Sequence, residues 1–207
     1  MFSARSTGCY EVGKDAKEID MNFWDICMSE FFPESSKVDV GRYILKHKHA
    51  LRFPLKKASL TYKLDDLAFP GFFKVFEGML YIARTPLMLD NLIKTDNDVF
   101  PHEISLGKIL GYPNCCARNI QKVGEKNIDE HNSQFNKSIQ KHSFLDISRY
   151  SQGVGLISHV PCSPSCKISL RQAYEFYFSL NNAVGTQKFC DWSNDVIRYF
   201  AYSEKHP

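Results

Sequence analysis

Four cysteines and a histidine lie in two short segments of this 207-residue chain. Cys115 and Cys116 are in GYPNCCARNI (111–120); His159, Cys162 and Cys166 are in SHVPCSPSCKISL (158–170). Thiolate and imidazole are the donors that zinc prefers, and thiolate is also the nucleophile of cysteine chemistry. Each segment reads as a turn running into a helix. In the first, Asn114 after Pro113 is the expected N-cap, which puts Cys115 and Cys116 in the opening turn. In the second, Ser163 is the expected cap and Pro164 takes the first helical position, where its missing N–H costs nothing. Cys166 then falls third and Cys162 lies just outside the helix. A helix N-terminus presents unpaired N–H groups and partial positive charge, which favour thiolate over thiol. Two distant segments built alike are expected to face each other across one pocket.

The donor set leaves the occupant open. His159, Cys162 and Cys166 with Cys115 or Cys116 make a tetrahedral zinc site. The four cysteines together also suit an iron–sulfur cluster. Adjacent cysteines seldom share one ion comfortably, so in the zinc case one of Cys115 and Cys116 is expected to stay free as a nucleophile or supporting group. Metal-free thiol chemistry is the third reading, and small buried residues at tight turns the fourth. The last fits poorly, because Cys162 and Cys166 sit among Ser and Pro and not on an apolar stripe. A zinc-deaminase pattern is excluded: His102 and Glu103 are adjacent, and P-C-x3-C stands where P-C-x-x-C is needed. Cys27 and Cys190, among aromatics, read as packing residues, and Cys9 as exposed and incidental.

Four further residues could take part. His102 and Glu103 open a helix just before the first cysteine segment and could serve as an acid–base pair with Cys115 and His159 as catalytic groups. A glutamate placed there also simply favours the helix dipole. Tyr112 could donate a proton, or keep a half-buried ring with its hydroxyl in water. Arg118, one turn after Cys115, could hold an anionic substrate or be a plain surface residue.

The run LGKILGYPNCC (106–116), with GMLYIART (78–85) before it and HVPCSPSC (159–166) after it, resembles the prokaryotic family called domain of unknown function 483. The likeness covers roughly residues 70–180. It implies that Gly111, Tyr112, Pro113, Cys115, Cys116, His159, Pro161, Cys162, Ser163, Pro164 and Cys166 belong to one shared pattern, and it brings no activity with it.

The elements that must position these residues read as an α+β fold, a mostly helical single domain with a small antiparallel sheet over 21–207, behind a loose polar leader at 1–20. Residues 21–32 suggest a short docked helix ended by Pro33. FFKVFEGMLYIART (72–85) alternates apolar and polar residues about Glu77-Gly78, which predicts a β-hairpin. Pro86 to Lys94 and Glu103 to Leu110 read as helices, the second stopped by Gly111. Residues 131–143 read as a surface connection and Gly153 to Val160 as a buried strand. Leu170, Ala173, Tyr174, Tyr177 and Leu180, then Trp192, Val196, Tyr199 and Phe200, follow helical spacing.

Composition narrows the class. At 43% hydrophobic and 14% aromatic the chain can build a continuous core. No apolar run approaches the ~18–20 residues of a membrane span, so no membrane partner is expected. Seven cysteines, an odd number, and a polar start without a signal-type apolar stretch point away from a disulfide framework and to the cytoplasm. The net charge of +3 is mild. The one strongly basic stretch is Arg42 to Lys63, with Arg42, Lys46, Lys48, Arg52, Lys56, Lys57 and Lys63. It is a solvated face or a docking surface for nucleic acid or another polyanion. Three functions follow: an enzyme using zinc or iron–sulfur for sulfur transfer or hydrolysis on a small or modified substrate; a non-catalytic zinc-stapled module that binds nucleic acid or a protein through 42–63; or a metal-free thiol enzyme or redox switch.

Overall fold

The computed structural model describes residues 24–25, 32–55, 71–98, 103–141, 143–183 and 185–205. Seven α-helices and three strands are present among them. Helix α1 (Ser36–Ile44) leads into β1 (Ala50–Pro54); β2 (Phe72–Phe76) and β3 (Met79–Ala83) follow. Helices α2 (Pro86–Asp96), α3 (Glu103–Ile109), α4 (Asn114–Val123), α5 (Ile128–Ser138), α6 (Lys167–Asn181) and α7 (Gln187–Lys205) complete the order. The fold is α+β and mostly helical, as expected. No helix in the described residues is long and apolar enough to cross a membrane.

The sheet is antiparallel with order β1-β3-β2. The hairpin turns at Glu77 and Gly78, both at positive φ (48° and 78°), the pairing that lets a two-residue turn follow the strand twist. Because side chains alternate, the sheet has two faces. Leu51 and Phe53 of β1 lie opposite Ile82 and Leu80 of β3 and join the main core with α1, α6 and α7. Ala50, Tyr81 and Ala83 face the other way, onto Leu89 and Leu92 of α2 and Leu110 after α3. There Asp96 at the end of α2 pairs with Arg52 and accepts a 2.6 Å hydrogen bond from the Tyr81 hydroxyl, tying that helix to the sheet.

The main core closes around Trp192 of α7. Its ring lies 4.5 Å from that of Trp24 and 5.6 Å from that of Phe189, and its Nε1–H donates to the Gly153 carbonyl at 2.8 Å. A Cβ on Gly41 in α1 would stand 2.4 Å from this ring. Alanine is the better helix former by about 1 kcal/mol, yet the ring is hemmed in by other aromatics and cannot retreat. Gly41→Ala is therefore expected to destabilise the fold by about 1–3 kcal/mol, the usual cost of overpacking. Urea unfolding checks this, and a variant as stable as wild type contradicts it.

Several expectations need correction. Residues 131–143 are not a plain connection, since α5 covers most of them. Only Phe135 of α5 is buried, so the helix lacks the apolar stripe that would announce it. It relies instead on i,i+4 side-chain bonds, Gln134 to Glu130 at 3.0 Å and Asn136 to Asn132 at 3.2 Å. Gly153 to Val160 is buried at Leu156 and Ile157 but forms no strand. Its carbonyls are taken by side chains, Leu156 O by Arg42 and Gly153 O by Trp192, rather than by a neighbouring strand. The second cysteine helix starts at Lys167 with Cys166 at the N-cap, later than Pro164, and the first is capped by Pro113, one residue before Asn114. Of the helix read at 21–32, Trp24 and Asp25 are helical, and most of the rest lies outside the described residues. So do the leader at 1–20, Cys9, Cys27 and His102.

Candidate metal centre

Local packing aims the first cysteine pair. Gly111 sits at φ +80°, a left-handed conformation that ends α3, and the Tyr112 N–H returns to the Gly107 carbonyl at 2.7 Å. A Cβ on Gly107 would meet that of Ala117 at 2.9 Å, so glycine is what lets α3 and α4 approach this closely. The turn fixes Pro113, whose carbonyl accepts from the Ala117 N–H at 2.9 Å, and Cys115 and Cys116 fall in the first turn of α4. The second segment makes a tight turn through Ser163, whose carbonyl accepts from the Cys166 N–H at 3.1 Å, before α6 begins.

The two segments meet. The sulfurs of Cys115, Cys116, Cys162 and Cys166 all lie within 4.8 Å of one another, a group that can hold a metal ion. Cys115 to Cys166 and Cys116 to Cys166 are each 3.7 Å, and Cys115 to Cys116 is 3.9 Å. The expectation that one of the adjacent cysteines stands aside is not how the chain is arranged: both sulfurs belong to the group. Cys116 and Cys166 are buried, while Cys115 and Cys162 are half-buried.

His159 lies one step back. Its Nε2 is 2.8 Å from the Ser169 hydroxyl, which in turn is 3.3 Å from the sulfurs of both Cys116 and Cys166. A hydroxyl has one proton to give. Ser169 donates to Cys166 and can accept from His159, so the imidazole reaches the sulfurs through the serine. Ser169 was not singled out from the sequence. Its signal is its place three residues after Cys166, on the face of α6 that carries Ala173 and Phe176 into the core. The Cys162 N–H adds a 3.4 Å contact to the Cys116 sulfur.

Burial governs the electrostatics. It raises Cys116 well above the ordinary thiol value and Cys162 to about 11. At Cys166 burial acts the same way, but hydrogen bonds from the Ser169 hydroxyl and amide and from the Cys162 and Cys116 thiols outweigh it and bring the group down to about 6. Without a metal the cluster therefore carries its negative charge on Cys166. His159 is pushed down to about 3, by burial first and then by the positive charges of Arg42 and Lys48. Between that value and its ordinary 6.5 the unfolded chain binds the proton and the folded one does not, so this group makes stability rise with pH across that window. An NMR titration of the His159 ring is expected to show it neutral from about pH 8 down to about pH 5; a midpoint near 6.5 contradicts the burial that sets it.

The remaining candidates are placed as follows. The Tyr112 ring is half-buried, 5.3 Å from that of His159 and 5.1 Å from the Lys48 ammonium, and burial raises its hydroxyl pKa. Arg118 is exposed one turn along α4, with no hydrogen-bond or ion-pair partner among the described residues. Glu103 opens α3, and its Oε2 is buried without a hydrogen-bond partner among the described residues. In the basic stretch, Arg42 and Lys48 are buried (3% exposed each) and Arg52 pairs with Asp96, so three of its four described cations point to internal partners and Lys46 is exposed; Lys56, Lys57 and Lys63 lie outside the described residues. Comparison of the chain with models of known families, with curated proteins and with solved structures gives no match.

Proposed function

We propose that the chain is a zinc protein in which Cys115, Cys116, Cys162 and Cys166 hold a single ion as four thiolates, tying the start of α4 to the turn that leads into α6. The observation that carries this reading is the sulfur spacing. A tetrahedron with zinc–sulfur bonds of about 2.3 Å has edges of about 3.8 Å; the separations among Cys115, Cys116 and Cys166 are 3.7, 3.7 and 3.9 Å, and the Cys162 sulfur lies within 4.8 Å of all three. An iron–sulfur cluster places several irons and sulfides between its thiolates and needs them farther apart. The surroundings suit a four-thiolate ion as well: two helix starts, the Cys162 N–H and the Ser169 hydroxyl all direct positive ends of dipoles at the sulfurs.

Four sulfurs close the coordination shell, the arrangement of structural sites, whereas catalytic zinc keeps an open position. Among the functions read from the sequence, this favours the zinc-stapled module over zinc-assisted hydrolysis. The reading includes descent of the two cysteine motifs from the same source as domain of unknown function 483, and a reducing compartment that keeps the thiols free. A second reading rests on the low Cys166 value and the 3.7 Å approach of the half-buried Cys115: a metal-free thiol pair in the same pocket. Metal analysis of protein purified without air separates them. Colourless protein with one equivalent of zinc supports the first. Brown protein with iron and sulfide, or metal-free protein whose thiols react readily, overturns it.

A further inference from the structure

A cluster of charged and hydroxyl groups lies beneath His159, assembled from α1, the loop after it, and the 150–158 segment. Lys48 is 3% exposed and pairs with Asp39 of α1; its ammonium also donates to the Ser158 hydroxyl at 3.0 Å. The other Asp39 oxygen accepts from the Tyr150 hydroxyl at 2.6 Å. The charges of Lys48 and Asp39 cancel, and Asp39 is shared with Tyr150 besides.

Arg42, one turn after Asp39 on α1, is equally buried at 3% exposed and has no such partner. Its guanidinium gives one hydrogen bond, to the Leu156 carbonyl, and lies 5.2 Å from the centre of the Phe176 ring. A guanidinium carries five N–H donors, so four have no protein acceptor among the described residues. Asp39, Tyr112, Glu175 and Tyr150 are within electrostatic reach, but Asp39 already serves Lys48 and Glu175 is exposed. The half-buried His47 stays on the Ser179 hydroxyl at 2.7 Å. Among the described residues the Arg42 guanidinium therefore has no carboxylate of its own. Buried charges are kept when something pairs with them, and an arginine fork is shaped for a planar or tetrahedral oxyanion.

We infer that Arg42, with the Lys48–Asp39 pair and the Tyr112 ring at its border, forms a binding site for a small oxyanion, the carboxylate or phosphate group of a small molecule. The site stands on the Arg42 geometry and does not depend on whether the cysteines hold a metal. It adjoins them through Tyr112 and His159, whose rings are 5.3 Å apart. The oxyanion supplies the acceptors for the Arg42 fork and the charge that balances it. No bond is made or broken there.

Thermal unfolding of the whole chain in inorganic phosphate and, separately, in acetate, each against sodium chloride of equal ionic strength, tests this. The expected result is a saturable rise in Tm with one of them, about 5 °C or more at ~100 times its Kd. The anion that saturates at the lower concentration tells phosphate from carboxylate. The rise disappears in Arg42→Gln. Should that variant not fold, Arg42→Lys keeps the charge without the fork and weakens binding at least about tenfold. No rise over chloride with either anion overturns the site, and so does a rise of equal size and midpoint in the Arg42 variants.

Discussion

Cys166→Ser is expected to purify without its metal ion and to lose about 4 kcal/mol or more of stability, the range reserved for losses such as a structural metal. Cys166 has the central place among the four sulfurs. It is 3.7 Å from both Cys115 and Cys116, it receives the Ser169 hydroxyl, and it forms the N-cap of α6. Under the zinc reading its loss removes one corner of the tetrahedron and leaves three thiols, two of which, Cys116 and Cys162, burial holds in the protonated form. The uncoupled segments are the start of α4 and the 158–166 turn, so the effect should appear as a weakened link between two parts of the fold. Metal content and urea unfolding of the variant, side by side, provide the check. A folded variant with wild-type zinc and wild-type stability contradicts the proposed coordination; one that loses zinc but not stability shows an ion bound without a stapling role.

Asp39→Ala should cost about 3–5 kcal/mol, because it leaves the Lys48 ammonium buried without its carboxylate. The Tyr150 hydroxyl loses its acceptor in the same step. Burial already lowers the Lys48 pKa and Asp39 acts against it; without Asp39 the folded state prefers the neutral amine still more. Between that lowered folded-state value and the ordinary lysine value of 10.5 the unfolded chain binds a proton that the folded chain lacks, so across that window the deficit shrinks as pH rises. Adding Lys48→Met in the same chain should recover much of the loss, since an apolar side chain of similar volume needs no counter-charge. Denaturant unfolding of the single and double variants makes the comparison. A loss below about 0.5 kcal/mol for the single variant, the level of an ordinary surface change, would show that Lys48 reaches solvent.

The cysteine site was legible because its residue types are rare, its turns are marked by Gly and Pro, and two separated segments repeat the same construction. The sequence could show which residues belong together but not the order of contact. Spacing alone makes His159 look like a ligand, whereas the fold turns its ring to Ser169, a residue type too common to draw notice. The adjacency of Cys115 and Cys116 suggested that one must stand aside, and the tight first turn of α4 brings both sulfurs in. The hairpin and the amphipathic helices α2, α6 and α7 follow from apolar periodicity. Helix α5 does not, because its support is polar and local, and the run at 153–160 resembles a strand in sequence because period cannot tell a strand from a largely buried coil. The basic stretch was the least legible of all. Arg42 and Lys48 look like surface charges in the sequence, and only the fold shows them turned inward.

X-ray absorption at the metal edge, on protein purified without air or added metal, bears most directly on the four-thiolate centre. The expected spectrum is that of zinc with a single shell of four sulfurs at about 2.3 Å. A nitrogen in that shell, fewer than four sulfurs, or scattering from a second metal ion would contradict it.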